Sequence, residues 1–199
     1  MTAHSTVART PEAAPHPRSR LRARIVLAGL SACGLAALAW AAFVQPLPRL
    51  IYNPSDSVPV GWYRVKPLDH RATSLPRSLS VGSIVLTRLP ADAAALAAQR
   101  GYLPAHVPLL KRVGAVAPQH VCIVASQVRI DGVPTAAALP ADRLGRPLPF
   151  WPHCRPLAEG ELFLLSVTNP ASFDSRYFGP VSASAVIGLA HPVWLETRP

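Results

Sequence analysis

Acidic side chains are scarce in this chain of 199 residues, which contains 10 Asp and Glu against 20 Lys and Arg and carries a formal net charge of +10. Such an excess of positive charge is common in proteins that bind nucleic acid. Beyond residue 45, however, the chain lacks a long Lys/Arg run, an arginine-rich helix and a basic motif interleaved with aromatic residues. Five arginines and one glutamate in residues 1–24 supply +4 of the charge, a placement that suits anionic lipid headgroups. We therefore expect membrane lipid as a partner and no nucleic acid.

Charged residues are absent from residues 25–44, a predominantly apolar run of 20 residues. A helix of about 20 residues crosses the hydrocarbon core of a bilayer, so the run predicts a single transmembrane anchor. The basic flank before it places the N-terminus in the cytoplasm and the chain after the span on the other side. A cleaved secretory signal is the alternative, because it also has a basic flank before an apolar run. The predicted organisation is a disordered cytoplasmic basic tail over residues 1–24, the anchor over residues 25–44 and an outer domain over residues 45–199.

Cysteine is also rare, with three in the chain and no Cys-x-x-Cys pair. Cys33 lies within the predicted span, which leaves Cys122 and Cys154 in a domain on the oxidising side of the membrane. These two residues are expected to form one disulfide. A zinc site that also uses His120 is the alternative, and the absence of a Cys-x-x-Cys pair weighs against it. We expect no metal and no cofactor.

The outer domain has no internal repeat, and its short runs of β-branched and aliphatic residues predict strands. Residues 90–100 are rich in alanine between Pro90 and Gly101, which predicts one short helix. Residues 136–156 carry many prolines and are expected to form a long irregular insertion, and residues 168–180 to form a loop. We therefore expect a mainly β domain of about seven short strands. The predicted strands cover residues 50–52, 62–65, 83–87, 107–114, 121–124, 127–130, 161–167 and 185–194.

Two hydroxyl groups lie between two prolines in the segment Asn-Pro-Ser-Asp-Ser-Val-Pro-Val-Gly-Trp-Tyr-Arg, which covers residues 53–64. Each proline fixes its own φ near −65° and biases the residue before it towards extended backbone. The segment is therefore predicted to hold Ser55 and Ser57 on a stiff loop, with Ser57 presented as a nucleophile. An ordinary Pro/Ser/Asp turn is the alternative.

One lysine lies on an apolar strand face, because at period two Lys111 shares a face with Leu109 and Val113. An unperturbed lysine, with a pKa of about 10.4, is neutral in only roughly one molecule in 2,500 at pH 7. Lys111 could act as a general base only if burial lowered its pKa, and a shift of ~3 units requires about 4 kcal/mol. A nearby ionised carboxylate would oppose that shift.

A third segment reads Ser-Phe-Asp-Ser-Arg-Tyr-Phe-Gly-Pro, over residues 172–180. Together with Ser-Val-Pro-Val-Gly-Trp-Tyr and Leu-Leu-Lys-Arg-Val, in this order behind one span, it makes residues 50–194 resemble the signal peptidase I superfamily. The motifs look like the conjugative-transfer, TraF-type branch of its Ser/Lys membrane peptidases. General leader peptidases have one further residue between the serine and the proline, whereas only Val58 separates Ser57 from Pro59 here.

The resemblance implies a signal-peptidase-like β domain in which Ser57 attacks the scissile carbonyl and Lys111 is its general base. Ser55 would supply a hydroxyl to the oxyanion hole beside the backbone N–H of Ser57. It also implies three supporting residues, in that Ser172 orients the lysine amine while Asp174 and Arg176 form an ion pair. We expect Arg176 to screen Asp174 from Lys111. The histidines lie in no recognisable triad motif.

The resemblance further implies a single-pass protein of the bacterial inner membrane with a periplasmic catalytic domain. Its substrate would be an exported, conjugative pilin-like precursor with small residues before the cut. Some relatives resolve the acyl-enzyme with an amine and cyclise the pilin, and these residues do not decide between cyclisation and hydrolysis. A general signal peptidase that removes secretory leaders is one alternative. A non-enzymatic β-domain tethered to a transfer channel as a scaffold is the other.

Overall fold

The computed structural model describes residues 17–43, 49–68 and 79–197. The chain divides into two compact units, residues 1–47 and residues 48–199. Of the first unit, helix α1 (Pro17–Phe43) is described. Its segment Leu21–Trp40 is exposed along its length and has a mean hydropathy of 1.7, so it is long and apolar enough to cross a membrane.

Helix α1 begins earlier than the sequence predicted. Residues 17–24 were expected to belong to the disordered tail, but they form the first turns of the helix. The physical reason is their content of arginine, leucine and alanine, which favour helix, behind a proline that the first turn tolerates. Residues 1–16 of the predicted tail and Val44 of the predicted span lie outside the described residues, as do residues 45–48, 69–78 and 198–199.

The second unit contains two antiparallel sheets. The large sheet has seven strands in the order β1-β2-β11-β3-β4-β9-β10, and the small sheet has four in the order β7-β6-β5-β8. The strands of the large sheet are β1 (Arg49–Asn53), β2 (Gly61–Pro67), β3 (Ile84–Thr87), β4 (Leu109–Val116), β9 (Glu161–Leu164), β10 (Val181–Ser182) and β11 (Val186–Leu195). Those of the small sheet are β5 (His120–Val124), β6 (Gln127–Ile130), β7 (Val133–Ala137) and β8 (Cys154–Pro156). Helix α2 (Ala91–Gln99) follows β3, helix α3 (Ser175–Phe178) precedes β10, and a 3₁₀ turn (Ala183–Ala185) precedes β11.

Strand β4 lies near the centre of the large sheet, and three buried clusters meet along it. Leu110 packs in a cluster with Tyr63, whereas Val113 packs in a second cluster. Strand pairing with β9 shifts at the glycine after Val113, so that Ala115 reaches a third cluster with Phe163. Phe163 is fully buried in this third cluster, which also holds residues of the small sheet and thus joins the two sheets. Burial of one such side chain contributes roughly 1.5–3 kcal/mol.

The expectation of a mainly β domain is confirmed, and every predicted strand has a counterpart in the structure. The described residues contain eleven strands, against the eight ranges predicted, and the domain has a second helix of four residues. Strands β7 and β8 lie at the two ends of the predicted irregular insertion, and each contains a proline, a residue that is rare in strands. The partner of β8 is also distant in sequence, whereas β7 pairs with β6 in a hairpin. The third missed strand, β10, has two residues. Trp151 of this insertion is buried against Phe163, with ring centroids 5.8 Å apart.

The structure joins Cys122 to Cys154, which face each other across the β5–β8 pair. His120 Nδ1 lies 3.4 Å from Cys122 Sγ, so the three residues considered for zinc do form a cluster. A disulfide leaves neither sulfur as the thiolate that a metal requires. The structure therefore has a disulfide at this position, and not the zinc site that was the alternative.

Gly188 of β11 provides a test of how tightly the central strands pack. A Cβ at this position would lie 2.3 Å from the carbonyl oxygen of Lys66 and 2.8 Å from Cγ1 of Val65. We expect Gly188→Ala to lower the free energy of unfolding by ~2 kcal/mol or more, because β2 would have to move away from β11. Denaturant unfolding of the full chain in detergent micelles measures the change.

Gly101→Ala is the matched control for this prediction. Gly101 has a φ of +72°, and a Cβ there would meet nothing within 4 Å. Its replacement should cost only the backbone strain of about 1 kcal/mol. Equal losses for the two variants would contradict the close β2–β11 approach.

Candidate active site

The loop between β1 and β2 is held by the side chain of Asn53, which is buried at the end of β1. Its Nδ2 donates to the carbonyl oxygens of Ser55 at 2.7 Å, Val58 at 3.1 Å and Pro59 at 3.2 Å. Its Oδ1 accepts from the Ser55 hydroxyl at 2.9 Å and the Ser55 N–H at 3.3 Å. The hydroxyl of Tyr63 donates to the Pro59 carbonyl at 2.6 Å. These bonds add to the restraint that the two prolines were expected to place on the loop.

Ser57 is 7% exposed, and its Oγ lies 3.0 Å from Ser55 Oγ and 3.4 Å from the carbonyl oxygen of Leu110. The Ser55 hydroxyl already donates to Asn53, so the Ser57 hydroxyl donates to Ser55 Oγ or to Leu110. Within the described part of the chain, the backbone N–H of Ser57 has no hydrogen-bond acceptor. This N–H is therefore free to bind an oxyanion.

Lys111 is 3% exposed and lies in the middle of β4, opposite Val85 of β3. Its Nζ donates to Ser172 Oγ at 2.5 Å. Among the described residues the structure has no hydrogen bond from Ser57 Oγ to Lys111 Nζ, although the two residues line the same cavity of about 920 Å³. To donate to the amine, the Ser57 hydroxyl must leave its present partners, Ser55 Oγ and the Leu110 carbonyl.

The pKa of Lys111 is lowered to about 8, mainly because burial disfavours the ammonium form. Asp174 raises this pKa and Arg176 lowers it, both through their charges. With a pKa of about 8, roughly one lysine in ten is neutral at pH 7, compared with one in thousands for an exposed lysine. The opposing effects of Asp174 and Arg176 have the signs expected from the sequence.

Asp174 and Arg176 form a bidentate ion pair, and neither residue is exposed to solvent. Arg176 Nε donates to Asp174 Oδ1 at 2.8 Å, and Arg176 Nη2 donates to Asp174 Oδ2 at 2.9 Å. The remaining donors of Arg176 bind the carbonyl oxygens of Ala137 at 2.7 Å, Ser172 at 3.1 Å and Asn169 at 3.3 Å. All of its bonds are therefore internal, which is what a buried guanidinium requires.

The ion pair positions the residue that holds the lysine amine. The carbonyl of Ser172 accepts from Arg176 Nη2, and the N–H of Ser172 donates to the Asn169 carbonyl at 3.1 Å. Asp174 is in turn fixed by the backbone N–H of Ser166, at 3.0 Å, just beyond β9. The Ser172 hydroxyl is thus attached to a backbone that is bound on both sides.

Two cavities meet at the serine loop. The larger one contains Lys111 and Ser172, and the smaller one, of about 280 Å³, is lined by Val58, Leu165 and other residues on the opposite side. Asp56 and Ser57 line both cavities. Ser57 therefore lies where an extended peptide could continue in two directions.

The structure brings most of the residues singled out from the sequence together. Ser55, Ser57, Lys111 and Ser172 line the larger cavity, with the Asp174–Arg176 pair behind Ser172, while the disulfide lies apart in the small sheet. No histidine of the described residues lines either cavity. Sequence reasoning missed Asn53, whose only signal was its place two residues before Ser55, where an Asn side chain commonly binds the backbone.

The sequence matches the family described as "Signal peptidase, peptidase S26" over residues 22–195. It is 33% identical over 181 residues to a plasmid transfer protein TraF from Escherichia coli, with 87% of this chain and 95% of that protein covered. It is also 33% identical over 186 residues to a probable conjugal transfer protein TraF from Sinorhizobium fredii (strain NBRC 101917 / NGR234), with 87% and 92% covered.

Among solved structures, a signal peptidase I from Enterococcus faecalis V583 matches with 17% identity and a TM-score of 0.34, covering 55% of this chain and 94% of that one. This overlap is partial, so the assignment rests on the sequence matches. The family match spans most of the chain, and the transfer proteins are similar along nearly their whole length. The chain therefore belongs to the signal peptidase S26 family, in its TraF-type branch.

Proposed function

We propose that this protein is a membrane-anchored serine endopeptidase in which Ser57 is the nucleophile and Lys111 the general base. The observation that carries the proposal is a buried lysine with a pKa of about 8 that lines the same cavity as a serine on a rigid loop. A structural lysine at such a depth would be paired with a carboxylate, because an unpaired buried charge is costly. Lys111 instead donates to the neutral hydroxyl of Ser172.

The proposed reaction begins with the neutral amine of Lys111. One N–H of the Lys111 amine keeps its hydrogen bond to Ser172 Oγ, and the lone pair of Nζ accepts the proton of the Ser57 hydroxyl. Ser57 Oγ then bonds to the scissile carbonyl carbon while the proton moves to Nζ. The resulting ammonium gives this proton to the leaving amine as the peptide bond breaks, and an acyl-enzyme on Ser57 remains. Water or an amine attacks the acyl group in the second half of the reaction.

The negative charge that develops on the carbonyl oxygen needs two donors. The free N–H of Ser57 is one, and the Ser55 hydroxyl, 3.0 Å from Ser57 Oγ, is the other. At rest, the Ser55 hydroxyl donates to Asn53 Oδ1. It must rotate towards the substrate to serve as the second donor.

The proposed substrate is an exported, conjugative pilin-like precursor with small residues before the cut, because the relatives are named as plasmid and conjugal transfer proteins. Cleavage is proposed at the periplasmic face of the inner membrane, with the N-terminus of the enzyme in the cytoplasm. A row of exposed aromatic side chains on neighbouring strands, Tyr52, Trp62 and Trp194, supports action at a lipid interface. Hydrolysis and cyclisation differ only in the nucleophile of the second step.

Replacement of Ser57 or Lys111 by Ala is expected to abolish processing, with losses on the order of 10³-fold or more. The variants should still insert and fold, and Ser55→Ala should lose about 10²-fold as one oxyanion donor is removed. The measurement is the conversion of a pilin precursor by the full chain in micelles, followed by mass spectrometry. Retained cleavage by Ser57→Ala would refute the proposal.

A second substrate and a chemical probe separate the rival functions in the same experiment. Comparable turnover of an Ala-x-Ala secretory leader and of the pilin precursor would favour a general signal peptidase. Absence of Ser57 labelling by a serine-directed acylating probe, in folded protein, would favour a non-enzymatic scaffold.

The acylation rate is expected to rise with pH through a midpoint near 8, because only the neutral form of Lys111 accepts the proton of Ser57. At pH 6 the rate should be about 100-fold below its plateau. Asp174→Asn should move the midpoint down, since the Asp174 charge raises the pKa of Lys111. Asp131→Asn, an exposed change in the turn between β6 and β7, should leave the midpoint in place. Single-turnover kinetics measure each profile, and a rate that is flat from pH 6 to 9 would exclude Lys111 as the base.

Lys111→Met is expected to stabilise the fold while it abolishes activity. The folded-state pKa of Lys111 is below its unfolded value, so the unfolded chain binds the proton more tightly and folding is penalised below pH 8. The shift corresponds to about 3 kcal/mol, which disappears as the pH rises from about 8 to 10.5. The variant should therefore gain roughly 1–3 kcal/mol at pH 7 and much less near pH 10. Denaturant unfolding at the two pH values would disprove this account if the gain were equal at both.

A further inference from the structure

The larger cavity has a basic wall away from Lys111, formed by Arg100, Arg143 and Arg146 together with Tyr102 and Asp142. Asp142 is the single carboxylate in this wall, and it is already occupied. It accepts from the Tyr102 hydroxyl at 2.5 Å and from Arg146 Nε at 2.7 Å. Although burial opposes the effect, these bonds hold the pKa of Asp142 far below its usual range. The wall thus carries an ionised, paired carboxylate and two further positive charges.

Arg100 is the member of the basic wall that has a buried donor without a partner. Its Nη1 is buried, and it is the one buried side-chain N or O atom of the described residues that has no hydrogen bond. Its backbone, by contrast, is fixed, because its carbonyl accepts from Arg146 Nη2 at 3.2 Å and its N–H closes the end of α2. A guanidinium does not lose its proton, and an unpaired buried donor is destabilising. The position therefore calls for an acceptor that the described chain does not supply.

The basic wall is connected to the lysine site through aromatic rings. Phe173 follows Ser172, the partner of Lys111, and its ring centroid lies 5.3 Å from that of Tyr102 and 5.8 Å from that of Tyr177. The Tyr102 hydroxyl then binds Asp142. The base and the basic wall are therefore parts of one packed surface that faces a single cavity.

We propose that Arg100 binds a carboxylate of the substrate peptide, either the side chain of an Asp or Glu near the cut or the C-terminal carboxylate of that peptide. This inference rests on the proposed function, because it places the peptide in the cavity of Ser57. The planar fork of an arginine matches the two oxygens of a carboxylate. The wall has no unpaired acid to compete, and Arg143 adds to the attraction.

Binding to an inactive enzyme tests the proposal without turnover. The probes are decapeptides of Ala, Ser and Gly that carry a neutral fluorophore, with one Glu placed at each position in turn and an amidated end. Their twins have Gln in place of Glu, and a further Gln peptide has a free C-terminal carboxylate. Fluorescence anisotropy with full-length Ser57→Ala in neutral detergent micelles measures each affinity.

We expect at least one carboxylate peptide to bind about tenfold more tightly than its neutral twin. The preference should fall to about twofold or less when Arg100→Gln is added to Ser57→Ala. Arg100→Lys, which keeps the charge but not the planar fork, should retain part of the preference. Arg129→Gln is the matched control, because Arg129 is an exposed arginine of the small sheet outside the cavity. A Glu preference identifies a side-chain carboxylate, and a free-end preference identifies the terminal one.

Equal binding of charged and neutral peptides, absence of any binding, or a preference that survives Arg100→Gln would overturn the proposal. Phosphatidylglycerol added to the micelles tests a lipid headgroup as the ligand. If this lipid competes with the peptide, and Arg100→Gln abolishes the competition, Arg100 binds the headgroup and the proposal is overturned as well. Thermal unfolding of each variant shows that it is folded. Labelling of Ser57 in the wild-type chain by the acylating probe reports on the proposed function separately, so a labelled enzyme without carboxylate preference fails this inference alone.

Discussion

The buried ion pair between Asp174 and Arg176 holds the candidate site together. Arg176 binds carbonyl groups of β7 in the small sheet and of the loop that carries Ser172, while Asp174 binds a backbone N–H beyond β9. The end of β7 and the segment that follows β9, which are distant in sequence, therefore meet at one ion pair. A buried pair of this kind is strongly destabilising when one partner is removed, by about 3–5 kcal/mol, so the arrangement is rigid. Because Arg176 also binds the Ser172 carbonyl, the ion pair holds the Ser172 side chain in position.

The same pair solves an electrostatic problem for Lys111. A carboxylate close to a buried lysine stabilises the ammonium form and raises the pKa, which a general base cannot tolerate. Arg176 offsets the charge of Asp174, so that desolvation remains the dominant effect and the pKa stays near 8. On the proposed function, the domain thus places a structural carboxylate beside an amine that must lose its proton, which is possible because the carboxylate is neutralised by its own partner.

Much of this arrangement could be read from the sequence, because it depends on local pattern. The alternation of β4 predicted that Lys111 would share a face with aliphatic residues, and Lys111 is buried. The role of Asn53 could not be predicted, since its amide binds carbonyls whose positions depend on the folded loop. The position of Ser57 Oγ, near Ser55 Oγ and the Leu110 carbonyl, is likewise set by a rotamer that no spacing encodes. The missing partner of Arg100 is a property of the whole cavity, which only the assembled strands define.

The electrostatics of Lys111 also constrain what the basic wall can do. A substrate carboxylate that entered the cavity without a partner would act on Lys111 as an unpaired Asp174 would, raising its pKa and removing the base. A carboxylate bound to Arg100 would be neutralised at the far side of the aromatic rings, just as Asp174 is neutralised by Arg176. On the proposed function, the unpaired arginine therefore does two things at once: it contributes affinity for an acidic peptide, and it protects the neutral amine from the charge of that peptide.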